Sequence, residues 1–150
     1  MRHICLLALV VLLAGCKRES PQQAADDFHL RDVTLPHGQI IKAETMTSPR
    51  DLLRGLMFRD SLAPDHGMLF VHAQPGHYSY WMYQMRIPVD TIWLDSDRRI
   101  VAIGENLPPC KTQASQCPQY GGTENSAFEI QLAGGMARKY GLKVGDTIQW

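Results

Sequence analysis

Apolar and polar positions alternate in strand-like runs along most of the chain and change once to a helical spacing. Phe28–Leu35 and Gln39–Met46 are short strand-like runs on either side of Pro36-His37-Gly38, a turn signal, and together predict a hairpin. Ser48-Pro49-Arg50-Asp51 follows as a helix start: Ser48 caps, Pro49 suits the first helical position, and Asp51 sits at capping-box distance. Leu52, Leu53, Leu56 and Met57 then fall on one stripe, which predicts a helix over Ser48–Arg59. Gly55 inside it costs about 1 kcal/mol relative to Ala, which implies that another backbone packs closely on that face. Gly67–His72, Tyr78–Tyr83 and Thr91–Asp95 read as strands. In the first, Met68, Phe70 and His72 share one face and Leu69 and Val71 the other, so both faces are expected to be covered.

Asp95-Ser96-Asp97 predicts a tight turn into Arg99–Ile103. Asn106–Gly122 reads as a long loop, Ala127–Leu132 as a strand, Met136–Tyr140 as a short helix ended by Gly141, and Asp146–Trp150 as a closing strand. The expected fold is therefore a single α+β, mostly β domain over residues 28–150. Its antiparallel sheet curls into a partial barrel, with the Ser48–Arg59 helix packed on one side and one short helix besides.

The first residues are patterned differently. Met1–Gly15 has a positive start at Arg2 and an apolar run from Ile4 to Leu13, too short to span a bilayer, which is the profile of a secretory signal. Its end, Leu13-Ala14-Gly15-Cys16, resembles the bacterial lipobox, which implies cleavage before Cys16 and acylation of its thiol. Lys17 in the next position, by the same resemblance, favours the outer membrane over the inner one. Several acyl chains hold firmly, at about 0.8 kcal/mol per buried methylene. Residues 16–27 then form a lipidated polar tether whose eleven residues after Cys16 reach roughly 17–20 Å. The expected location is the bacterial cell envelope, on the periplasmic face of the outer membrane, with the membrane as a partner through the lipid.

In that compartment the cysteines can be accounted for. Cys5 leaves with the signal and Cys16 carries lipid, which leaves Cys110 and Cys117 as an even pair in an oxidising environment. The reading is a disulfide, stabilising by roughly 2–3 kcal/mol; a two-thiolate metal site is the alternative, without a His or further Cys at zinc spacing. The balance of 15 basic and 15 acidic residues argues against a phosphate-tracking surface and hence against nucleic acid.

Candidate chemistry gathers between Leu52 and Asp95. Asp90 enters an apolar run, Ile87-Pro88-Val89-Asp90-Thr91-Ile92-Trp93, and a buried carboxylate must be paired or hydrogen-bonded. Arg59 and Arg86 are its candidate partners; backbone N–H groups tying down a strand start are the structural alternative. A ligand pocket would draw on Arg59, His72, Trp81, Met82 and Asp90, and Tyr78, Tyr80, Trp81 and Tyr83 suit flat polar ligands such as sugars. His66, His72 and His77 with Met57, Met68, Met82 and Met85 raise periplasmic copper, yet without a tight Met-x-x-Met or His-x-His cluster. Nucleophile, Walker and dinucleotide motifs are absent from the sequence, so no catalytic set, resident metal or cofactor is assigned.

Six motifs in order, GLMFR (Gly55–Arg59), GMLFVH (Gly67–His72), YWM (Tyr80–Met82), IPVDTIWLD (Ile87–Asp95), the Pro-Pro-Cys of Pro108–Cys110 and GLKVGD (Gly141–Asp146), resemble the family called domain of unknown function 192 over Val33–Trp150. Tyr83-Gln84-Met85-Arg86 departs from that family's shorter Lys-Asn-Thr-like turn. The resemblance implies a compact, mostly β domain, secreted or lipid-anchored, and no known reaction. The function expected is a non-enzymatic envelope module that binds a small molecule, a glycan or a partner protein. The alternatives are an envelope enzyme using Asp90 with Arg59 or His72, and periplasmic copper binding.

Overall fold

The computed structural model describes residues 29–150. The signal segment, Cys16 and the tether lie outside the described residues. The expected hairpin forms: β1 (Leu30–Thr34) pairs antiparallel with β2 (Ile40–Met46) across the Pro36–Gly38 turn. Helix α1 follows over Pro49–Arg54, with the Ser48 hydroxyl accepting from Asp51 N at 3.2 Å. It is shorter than the Ser48–Arg59 span that the apolar spacing predicts. Gly55 is its cap, not an interior residue, with φ 45° and ψ −132°, a region that a side chain rarely tolerates. The chain then turns at Phe58, whose N–H donates to Gln84 O at 2.9 Å. Leu53 is consequently 65% exposed while Leu56 is buried, so the supposed stripe does not exist.

This crossover carries the chain into β3 (His66–Gly76), which runs parallel to β2. A parallel neighbour needs such a connection, because a tight turn cannot reverse the chain twice. The other pairings in the main sheet are antiparallel, and its six strands lie in the order β1-β2-β3-β8-β5-β6, where β5 is Val89–Leu94, β6 is Ile100–Leu107 and β8 is Ser126–Ala133. The Asp95 turn joins β5 to β6 as expected, with Asp95 Oδ1 accepting from Asp97 N and Arg99 N at 2.9 Å each. A second, two-stranded ribbon pairs β4 (Ser79–Trp81) with β7 (Gln119–Gly121). Strand β7 lies inside what reads from sequence as loop. Only three residues long, between Pro118 and Gly122, it has too few positions to show a period. Gly121 is needed there: with φ 76° it lies against Trp93, and any Cβ would overlap the indole ring.

Cys110 and Cys117 are bonded, with Cα atoms 5.7 Å apart, and Cys110 N donates to Met82 O at 2.8 Å. The staple therefore ties the β6–β7 connection to the end of β4.

The sheet is not closed, but the last residues bridge its gap. Residues 146–150 form single bridges and not the full strand expected: Thr147 pairs with Arg99 beside β6, and Gln149 pairs with Thr34 of β1. Two cores result. Val33, Ile41, Leu69, Ile92, Ile130 and Ile148 fill the inside of the curl with the short helix α2 (Met136–Lys139), while Met46, Met68, Phe70, Met82 and Val89 pack on the opposite face under α1 and the ribbon. No helix among the described residues is long and apolar enough to cross a membrane.

Candidate functional site

Paired residues in a sheet share a face, so the register assigns each side chain to one side. Glu44 pairs with Met68, Met68 with Gln131, Phe70 with Glu129, Gln131 with Thr91 and Glu129 with Trp93. These residues face α1 and the ribbon. Asp90 pairs with Leu132 and faces the other way.

Asp90 is 0% exposed and spends its carboxylate on backbone donors: Oδ1 accepts from Asn106 N at 2.6 Å and Gly135 N at 3.0 Å, and Oδ2 from Ala137 N at 2.6 Å. It anchors the start of α2 and the end of β6. Neither proposed arginine reaches it. Arg59 makes a two-pronged ion pair with the buried Glu44, and Arg86 pairs with the exposed Asp60 at 2.8 Å. The expected convergence of Arg59, Trp81 and Asp90 on one pocket is thus corrected: the carboxylate and the indole lie on opposite sides of the sheet.

A groove of about 460 Å³ opens on the α1 side. Helix α1 contributes Pro49, Leu52, Leu53 and Arg54; the ribbon side contributes Tyr80, Trp81 and Tyr83, with the Trp81 and Tyr83 rings 5.5 Å apart at 47°. Phe70, Met85 and Gln131 line it from between these walls, and Ser79 and Gln119 supply polar groups bonded to each other at 3.2 Å. Of the five residues expected in a pocket, Trp81 lines this groove. Met82 is buried in the core beside it, Arg59 is held by Glu44, His72 lies behind Tyr80, and Asp90 is on the opposite face of the sheet. Tyr78 turns away to stack on His72 at 3.5 Å. Met46, Met68, Met82 and Met85 pack with Leu56 and Phe70 as core filling, and no group of three His, Cys, Asp or Glu able to hold a metal occurs among the described residues.

A polar network that sequence reasoning misses lies under the groove. The Tyr80 hydroxyl bonds His72 Nε2 at 2.6 Å, and Gln131 Nε2 donates to Glu129 Oε1 at 2.9 Å, while the buried Glu129 Oε2 has no hydrogen-bond partner. Burial pushes the Glu129 carboxyl up to about 8, against the opposing pull of Tyr80 and Gln131. Burial also lowers the His72 imidazole and raises the Tyr80 phenol, the latter with help from the Glu129 charge. All three are therefore neutral at pH 7. Their one sequence signal is the Phe128-Glu129-Ile130-Gln131-Leu132 alternation, which by itself reads as a strand with one wet face.

The family model described as DUF192, "Uncharacterized ACR", matches residues 33–150. The chain belongs to the DUF192 family. Solved structures share the fold. One is a protein of unknown function from Novosphingobium aromaticivorans DSM 12444, 26% identical, with TM-score 0.71 over 85% of this chain and 96% of that one. Another is a protein from Sinorhizobium meliloti 1021, proposed by its description to be a transcription regulator. It is 28% identical, with TM-score 0.72 over 81% of this chain and 94% of that one. No curated protein matches the chain. Membership in DUF192 thus accounts for the fold and its motifs and leaves the groove's role to be argued from its residues.

Proposed function

We propose that the protein is a lipid-anchored module of the bacterial envelope that binds a small molecule in the groove between α1 and the ribbon, without reacting it. The observation that carries this reading is the groove itself: an aromatic wall of Tyr80, Trp81 and Tyr83 facing the leucines of α1, with Arg54, Ser79, Gln119 and Gln131 as the few polar groups. Concave, mostly apolar sites with a small set of polar groups are the usual architecture of small-molecule binding. Among the described lining residues there is no Asp, Glu, His or Cys, so the groove lacks the side chains that usually carry acid–base or thiol chemistry. The alternative enzyme built on Asp90 with Arg59 or His72 has no support in the geometry, since Asp90 is occupied on the far face. The regulator description of the Sinorhizobium meliloti neighbour finds little here either. Charge is balanced, and the α-helices among the described residues, of six and four residues, are too short to read a major groove.

Amide NMR of the full chain during addition of soluble oligosaccharides and small aromatic compounds tests the groove. Binding is expected to shift resonances of Leu52, Trp81, Gln119 and Gln131 together; shifts confined to other surfaces, or none with any compound, overturn the reading. The anchor is tested separately. Cys16→Ser is expected to release a soluble or unprocessed form, and a variant that fractionates and migrates like the parent removes the lipoprotein reading.

A further inference from the structure

The groove carries one charge. Every lining residue is uncharged except Arg54, in the last turn of α1. Three other arginines are neutralised, Arg59 by Glu44, Arg86 by Asp60 and Arg138 by Glu105, but none of the three lines the groove. Arg54 has no ion-pair partner among the described residues. The first-turn acid of the same helix, Asp51, is engaged at the cap with Ser48 at 2.5 Å. Behind the floor, burial keeps the Glu129 carboxyl protonated at neutral pH, so no negative charge opposes an anion from below. The body of the groove is different in kind. Leu52 and Leu53 face the Trp81 and Tyr83 rings, and Leu53 is 65% exposed at the rim, an apolar surface left uncovered by the fold.

From this pairing of a lone cation with an aromatic–aliphatic slot, we propose that the groove selects small organic acids. A flat apolar body lies between Leu52–Leu53 and Trp81–Tyr83, and its carboxylate meets the Arg54 guanidinium. Gln119 and Gln131 are left to read polar substituents on the body. The inference rests on the groove reading above and adds the charge of the ligand to it. A guanidinium matches a carboxylate in two parallel hydrogen bonds, which a neutral amide cannot reproduce.

Indole-3-acetate and indole-3-acetamide share a ring and nearly a shape, and differ by one charge. Isothermal titration calorimetry of the full chain with each, against a detergent-only blank, is expected to show the acetate binding about tenfold tighter, a difference of about 1.4 kcal/mol. Added salt narrows that gap, because the ion pair sits at the groove's rim. Arg54→Gln is expected to abolish the preference, so that acetate and acetamide bind alike, and Arg54→Lys to restore part of it. Trp81→Ala weakens both compounds. Equal binding of the two by the parent protein overturns the assignment of an anionic ligand, and a preference that survives Arg54→Gln overturns the pairing with Arg54; either leaves a groove that binds. Binding of neither compound, or binding of both untouched by Trp81→Ala, overturns the groove reading and this inference with it.

Discussion

Asp90→Ala is expected to destabilise the protein by about 3–5 kcal/mol, because it removes one charged acceptor shared by three backbone donors. The carboxylate is fully buried and accepts from Asn106 N, Gly135 N and Ala137 N, so its loss leaves three N–H groups unpaired. Asp90→Asn keeps the shape but turns an amide N–H₂ toward one of these donors, and about 1–3 kcal/mol is expected. Denaturant melts of Asp90→Ala, Arg59→Met and the double variant measure the effect and locate it. The two residues lie on opposite faces of the sheet and share no partner, so their losses should add to within about 0.5 kcal/mol. Strong coupling between them would show that the arginine and the aspartate are partners after all.

A second large effect is one of pH. Glu129 has a folded-state value raised from 4.5 to about 8 by burial, so the native state keeps a proton that the unfolded chain releases. The stability it confers is complete below about 4.5 and is lost as pH rises through about 8. His72 acts in the opposite sense. Its value is lowered from 6.5, so its contribution is present above 6.5 and declines as pH falls. The interval from 6.5 to 8 therefore isolates the carboxyl. Across it, stability is expected to fall by on the order of 1 kcal/mol per pH unit. Glu129→Gln keeps a donor–acceptor group in place and removes the titration, so its melting temperature should be level over the same interval. A parent protein whose stability is also level there would mean that Glu129 is ionised within the fold.

The local elements were legible because their signals are local. Pro36-His37-Gly38 makes the first hairpin, Ser48-Pro49 starts α1, Asp95 shapes the β5–β6 turn, and the cysteine count leaves Cys110 and Cys117 to each other. Gly55 was ambiguous because a glycine within an apolar spacing fits a packed helix interior as well as a cap, and only the left-handed turn decides. The buried fate of Asp90 and its tie to backbone donors could be read from its neighbours, but not which donors, since they lie sixteen, forty-five and forty-seven residues away. The candidate site was the least legible part. Its walls meet because Trp81 pairs with Gln119 in a ribbon invisible to periodicity. Glu129 and Gln131 look like the wet side of a strand until that ribbon and α1 cover them.

The bridging tail has a consequence for how the molecule is made. Thr34 exchanges hydrogen bonds with Gln149 at 2.8 and 3.0 Å, Ile148 N donates to Arg98 O, and the Arg98 guanidinium stacks 4.6 Å over the ring of Trp150 while donating to that residue's carbonyl. Until those residues leave the ribosome, Thr34 at the outer edge of β1 lacks its pairing partner. A growing or truncated chain thus presents an open edge, the kind of template on which other chains pair and aggregate. Contacts between segments this far apart in sequence are also slow to form. Synthesis from the N-terminus leaves this closure until residues 147–150 have been made, so the edge needs protection at least until then.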